Sequence, residues 1–200
     1  MATLLYIKAS IFGDEGQSSQ LAQRYVDRWQ SAHQQGSVLL RDLEAEPVPH
    51  LTAERFRGFF ARPEDRTTEQ AAAVAESDAL IDELMAADTV VLGLPMYNFT
   101  IPSPLKAYFD HVARSGVTFR YTESGAEGLV GDKPVFVFAA RGGLYQGTAL
   151  DTQTPLVRTY LGFLGMKNVH FVYAEGLAMG EEPAGRALEA ARAEIDALPV

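Results

Sequence analysis

Four apolar runs of six or seven residues limit the fold of this chain more than any other feature: TLLYIK (3–8), TVVLGLP (89–95), PVFVFAA (134–140) and VHFVYAE (169–175). They are rich in β-branched and aromatic residues and are bounded by Gly, Pro or Asp. Runs this short and this apolar read as strands buried on both faces. A fifth, SVLLRDL (37–43), turns polar at its end and suits a sheet edge.

Helical patterns separate these runs. Leu21, Tyr25 and Trp29 recur at a spacing of four, and Val74, Leu80, Ile81, Leu84 and Met85 outline an apolar face opposite Glu69, Glu76 and Glu83. Thr67 followed three residues later by Gln70 has the form of a capping box and predicts a helix starting near Thr68. Pro155, Leu156, Tyr160, Phe163 and Leu164 outline another helix closed by Gly165, and a last one passes through Leu188, Ala191, Ile195 and Leu198. Repeated alternation of strand and helix requires right-handed crossovers, which give a doubly wound parallel sheet with helices on both faces. The expectation is one α/β domain over residues 1–200, with five parallel strands in the order 2-1-3-4-5. The 47% hydrophobic content is ample for such a core.

Sheets of this kind bind ligands beyond the carboxyl ends of their strands, near the point where strand order reverses. Three loops therefore hold the candidate site: ASIFGDEGQSSQ (9–20), PMYNFTIPS (95–103) and ARGGLYQG (140–147). The first enters a helix beginning near Gln17 or Ser18, where free N–H groups and the helix dipole favour an anion, and Ser10, Ser18 and Ser19 add hydroxyls. Neither a Walker loop nor a G-x-G-x-x-G fingerprint is present, so a phosphate would be held without lysine, as suits a monoester. A serine-rich N-cap explains the same residues. Asp14 and Glu15 oppose an anion unless they point outward.

The second loop offers flat surfaces from Met96, Tyr97 and Phe99 and a carboxamide from Asn98, which needs partners if buried. The same aromatics also read as core. Ser103 is expected to cap the next helix with Pro104 at its first position; Leu105, Tyr108, Phe109 and Val112 form the inner stripe, and Gly116 ends it. In the third loop Gly142 and Gly143 let the backbone approach a ligand, while the Arg141 guanidinium faces an anionic ring edge or makes an ordinary ion pair.

Other chemistries are poorly supported. The four histidines lack ligand spacing, no cysteine exists, and no G-x-S-x-G elbow occurs, so neither a metal site nor a serine hydrolase is expected. A formal charge of −9 disfavours nucleic acid and anionic membranes. The amino terminus is too briefly apolar for a signal peptide, and no stretch approaches the roughly 20 apolar residues that cross a bilayer. A cytoplasmic protein is expected.

The segments PMYNF, LKAYFDHVARSGVTFRYTE, GLV, RGG, LGFLG and FVYAEG, in this order over nearly the whole chain, resemble the FMN-dependent NADH-azoreductases. That family is flavodoxin-like and overlaps with NAD(P)H:quinone oxidoreductases. The resemblance implies non-covalent FMN, with phosphate contacts at Ser10, Gln17 and Ser18 and ring contacts at Met96, Tyr97, Asn98, Phe99, Arg141, Gly142 and Gly143. It implies ping-pong hydride transfer from NADH or NADPH, through a flavin that carries the chemistry without a catalytic side chain, to quinones, azo compounds or nitroaromatics.

It also implies a homodimer whose two sites lie at the interface. Segments 47–66 and 116–131 would then supply walls, and Phe60, Phe119, Tyr121, Tyr145 and Phe163 would be substrate-side candidates or interface packing. A flavodoxin-like carrier of single electrons is the alternative, which the extra walls disfavour. Two departures stand out: Gly16 and Ala140 occupy positions where the family often has serine. Restoring serine at position 16 is expected to tighten FMN.

Overall fold

The computed structural model describes residues 1–200. Its strands are β1 (Thr3–Lys8), β2 (Ser37–Asp42), β3 (Thr89–Pro95), β4 (Phe119–Thr122), β5 (Gly125–Gly128), β6 (Val135–Ala140) and β7 (Val169–Ala174). Five of them form a parallel sheet in the order β2-β1-β3-β6-β7, and β4 pairs antiparallel with β5. Taken alone, the five sheet strands keep the expected order; the hairpin is what shifts their numbers. Along β1 the side chains alternate, sending Leu4 and Tyr6 to one core and Leu5 and Ile7 to the other.

The helices are α1 (Gln17–Ala32), α2 (Ala53–Phe60), α3 (Thr68–Ala86), α4 (Ser103–Val112), α5 (Gln153–Phe163) and α6 (Glu181–Ala197). Helices α1 and α6 bury Leu21, Tyr25, Trp29, Ala191 and Ile195 on one face of the sheet. On the opposite face α3, α4 and α5 bury Leu80, Leu84, Leu105, Tyr108, Val157 and Leu161. The Thr67 capping box forms as expected: Gln70 N–H donates to Thr67 Oγ1 at 3.2 Å, and Thr67 N–H donates to Gln70 Oε1 at 3.1 Å.

Helix α4 departs from its expected limits at both ends. Pro102 is its cap residue, with ψ at 142°, and Ser103 is already helical with no side-chain cap. Pro104 then sits at the second position, where an N–H would have no intrahelical acceptor in any case. The helix stops at Val112 rather than Gly116 because Thr118 captures its end. The Thr118 hydroxyl donates to Val112 O at 2.6 Å and accepts from Arg114 N–H at 2.9 Å.

The β4–β5 hairpin lies within segment 116–131 and is fastened to the end of α5. Val130 N–H donates to Leu164 O at 3.1 Å, and a Cβ on Gly128 would lie 2.1 Å from Gly165 N. Only glycine permits that approach. Gly128→Ala is therefore expected to destabilise the chain by about 1–3 kcal/mol through backbone displacement. Gly162→Ala on α5, where an added Cβ meets nothing within 4 Å, should instead stabilise by roughly 0.5–1 kcal/mol. Urea unfolding of both variants checks the pair.

Candidate active site

The loops after β1, β3 and β6 gather at the carboxyl edge of the sheet, as the topology requires. Helix α1 begins there with Gly16 as its cap residue and no side-chain cap. The N–H groups of Gln17, Ser18 and Ser19 make no hydrogen bond within the chain. The hydroxyls of Ser18 and Ser19 are buried and unpartnered. Ser10 is also buried, its Oγ accepting from Phe12 N–H at 3.2 Å. These groups make an anion cradle of amides, hydroxyls and a helix dipole.

Lys8 sits at the end of β1 but is committed elsewhere, 2.6 Å from Asp14 and 2.7 Å from Asp42. Burial pulls the Lys8 pKa down, and hydrogen bonds to the two carboxylates more than reverse this, leaving it raised. Asp14 points outward with a side chain 92% exposed, so its charge turns toward Lys8 and water.

The second loop is a tight turn. Tyr97 and Thr100 exchange two backbone hydrogen bonds of 3.1 Å, while Asn98 and Phe99 between them have φ of 49° and 68°. Positive φ at both central positions marks a type I′ turn, which ordinarily takes Asn-Gly. Phe99 in the left-handed region costs about 1–2 kcal/mol. Asn98 and Phe99 are both exposed, so the carboxamide is under no demand for partners within the chain. Met96 and Tyr97 are half-buried beside them, and Tyr97 Oη reaches Ser10 Oγ at 3.4 Å, joining the first loop to the second.

In the third loop the N–H groups of Gly142 and Gly143 have no partner in the chain. Of the two readings of Arg141 the structure shows the ion pair, though not at the surface: its guanidinium faces inward and its side chain is wholly buried. It donates to Asp151 Oδ1 at 3.0 Å, Glu175 Oε1 at 3.0 Å, Thr154 Oγ1 at 2.9 Å and Gln153 Oε1 at 3.2 Å, and lies over the Tyr173 ring. A buried cation needs this many partners, and no neighbouring group leaves it free. Glu175 extends the network by accepting from the Tyr145 and Gln146 N–H groups at 3.0 Å, which shapes the loop.

The aromatic candidates divide. Tyr145 joins the ring loops, its ring edge-to-face with Phe99 at 5.7 Å. Phe60, Phe119 and Tyr121 instead line a groove of about 290 Å³ with Phe56 and Phe59, and Phe163 packs on Phe119 at 4.4 Å. No residue of the three loops lines that groove. Sequence reasoning missed Asp151, Thr152, Gln153 and Glu175; the polar run DTQT directly before Pro155 was the available signal. It also missed Phe12 and Leu144, apolar side chains 63% and 64% exposed on the first and third loops.

This arrangement has close counterparts. A family model described as "Flavodoxin-like fold" matches residues 2–198. An FMN-dependent NADH:quinone oxidoreductase from Cellvibrio japonicus is 54% identical over 196 residues, 98% of each chain. The chain belongs to this flavodoxin-like oxidoreductase family. A second member, from Alcanivorax borkumensis and of the same name, is 54% identical over 192 residues, covering 96% of this chain and 97% of its own. Among solved structures, an azoreductase from Bacillus anthracis aligns with a TM-score of 0.90 at 32% identity, over 98% of this chain and 97% of its own. A Bacillus anthracis FMN-dependent NADH-azoreductase solved with FMN shares the fold at a TM-score of 0.87 and 23% identity, over 98% of each chain.

Within this family member the Arg141 network has a defined acid limit. Burial would raise the Asp151 pKa, but hydrogen bonds from Thr154 and Arg141 more than offset it and hold the carboxyl below its usual range. Because the folded value is depressed, Asp151 contributes fully above its unfolded value of about 3.9. The contribution is lost as pH falls through the lower folded value. Asp151→Asn is expected to cost about 1.5–3 kcal/mol at pH 7 and to flatten the loss of stability below about pH 4. Thermal unfolding from pH 7 to pH 2.5 checks both.

Proposed function

We propose that this protein is an FMN-dependent NADH:quinone oxidoreductase that also cleaves aromatic azo compounds to amines. The observation that carries this reading is the contact between Ser10 and Tyr97, which joins an anion cradle to an exposed aromatic turn. A phosphate tethered to a flat ring with polar edges matches both halves. The relatives from Cellvibrio japonicus and Alcanivorax borkumensis carry FMN and NADH in their names.

The residues present fit FMN. Three amides and two buried hydroxyls without partners await acceptors at the start of α1, and a phosphate monoester supplies them. Ser10, Gln17 and Ser18 hold the phosphate. Met96, Tyr97, Asn98 and Phe99 would seat the ring, and the Gly142 and Gly143 amides, free in the chain, would be available to its polar edge. Arg141 serves from behind, by shaping the loop. Bound FMN supplies two-electron hydride acceptance and return.

The chain's own task would be to orient the ring, exclude water and leave the side beside Phe99 and Tyr145 accessible to NADH and to the acceptor. No side-chain acid or base is needed. A quinone consumes one hydride equivalent, whereas an azo bond cleaved to two amines consumes two. Nitroaromatics suit the same face. An NADH-dependent reaction accords with a cytoplasmic location, and no helix is long and apolar enough to cross a membrane.

We assign the groove around Phe56, Phe60 and Tyr121 to a homodimer interface. These side chains are 50%, 65% and 74% exposed, more than an isolated chain needs to present in one place. A second copy would carry Phe60, Phe119, Tyr121 and Phe163 toward its partner's ring face. Helix α2 and the β4–β5 hairpin build this wall, and both are superfluous to a carrier of single electrons.

Anaerobic mixing with NADH should bleach the flavin absorbance rapidly; absence of bleaching would reject the enzyme. Asn98→Ala should weaken FMN retention about tenfold, the equivalent of one hydrogen bond. Gly16→Ser reverses the expectation drawn from the sequence. A Cβ there would lie 2.2 Å from Ser10 Oγ and 2.7 Å from Ser10 Cβ, so the variant should displace Ser10 and weaken FMN. Fluorescence titration with FMN checks both variants. Sedimentation should give twice the 21.8 kDa of one chain, and Phe60→Glu should shift it toward monomer while lowering quinone turnover.

A further inference from the structure

The ring-bearing turn is held in shape from outside its own sequence. Both of its central residues adopt positive φ, yet neither is glycine, so the shape persists only if surrounding groups over-determine it. Those groups stand at the start of α5. Gln153, wholly buried, donates through Nε2 to Pro95 O at 2.8 Å and Thr100 O at 3.3 Å. The Thr152 hydroxyl donates to Phe99 O.

The orientation of the Gln153 amide is itself fixed. Arg141 Nε, which can only donate, reaches Gln153 Oε1 at 3.2 Å, so Nε2 must face the two carbonyls. Three carbonyls, at positions 95, 99 and 100, are thereby fixed by two adjacent side chains. A Gln153 side chain that only filled the core would not need two directed bonds to one loop, nor a neighbour adding a third.

We propose that Thr152 and Gln153 are positioning residues, a clamp that holds turn 97–100 in its ring-accepting form and so sets the affinity for flavin. This rests on the function proposed above. The clamp does not touch the reacting atoms; it acts through the carbonyl groups of the turn and is anchored on the Arg141 network.

Gln153→Glu is the sharpest test, because a carboxylate keeps the shape and the bond from Arg141 but cannot donate to Pro95 O or Thr100 O. In the flavin-free protein, hydrogen exchange at the Tyr97 and Thr100 amides should accelerate about tenfold or more, with the amides of Val91 and Val137 unchanged. FMN affinity should fall about tenfold. In a Phe99→Gly background, where positive φ carries no strain, the same substitution should cost less than about twofold in FMN affinity.

Unchanged exchange at the turn would overturn the clamp. So would acceleration spread equally through the core, unchanged FMN affinity in the otherwise native chain, or an equal affinity loss in both backgrounds. If Gln153→Glu fails to fold, Thr152→Val, at an exposed position, must show the same local acceleration and weaker FMN binding, or the proposal falls. If the unaltered chain neither retains FMN nor oxidises NADH, the proposed function fails on that result alone, and the claim on flavin affinity fails with it. Exchange in the flavin-free protein still decides whether Thr152 and Gln153 hold the turn.

Discussion

The carboxyl edge of this sheet is organised around one buried cation. Arg141 carries five N–H donors and no acceptor, and its side chain has no exposure to water, so every direction it points must meet an acceptor. Its partners come from separate segments: Asp151 and Gln153 around the start of α5, Thr154 within it, and Glu175 after β7. Each partner fixes something further. Asp151 accepts from Thr154 N–H at 3.0 Å, Glu175 gathers the Tyr145 and Gln146 amides, and Gln153 reaches across to the loop after β3. Satisfying a single guanidinium thus sets the relative positions of several loops.

Two carboxylates on one cation explain why Arg141 is support rather than ligand group. Its charge is already more than balanced, and turning it outward would leave the buried Asp151 and the half-buried Glu175 without their cation, a loss that a ligand contact at the rim would not repay. The same rigidity lets the edge tolerate Phe99 at positive φ. A glycine would relieve that backbone strain and also remove the exposed aromatic face. Local strain is sustainable here because neighbouring segments bind the turn's carbonyl groups.

What the sequence disclosed follows from how its signals are encoded. Strands β1, β3 and β6 are buried on nearly every side, so they show as plain apolar runs, and the Thr67 capping box needs only residues three apart. The β4–β5 hairpin is four residues per strand and mostly exposed, held by a cross-strand pair between Arg120 and Glu127 at 2.8 Å and by contact with α5, neither of which leaves a periodic pattern. The direction of Arg141 depended on partners 10 and 34 residues away. Gly16 looked like a missing hydroxyl, whereas the place its Cβ would take belongs to Ser10. Spacing reveals which residues can cooperate along one element; it does not reveal which of two readings a loop residue takes when its partners lie on other elements.

The cradle at α1 draws these points together. Both cations nearest the loops, Lys8 and Arg141, are bound to carboxylates, and the chain as a whole is acidic at −9, so affinity for a phosphate cannot come from net charge. It must come from neutral donors held in place: amides at positions 17, 18 and 19, and hydroxyls whose hydrogen bonds are otherwise unmade. Neutral donors act only at hydrogen-bond range and within a narrow angle, whereas a lysine tolerates misplacement because Coulomb attraction falls slowly with distance. With FMN bound as proposed, its retention would be governed by loop geometry more than by ionic strength. On that reading the functional demand falls on residues such as Gly16 and Gln153, which shape the edge without contributing a charge to it.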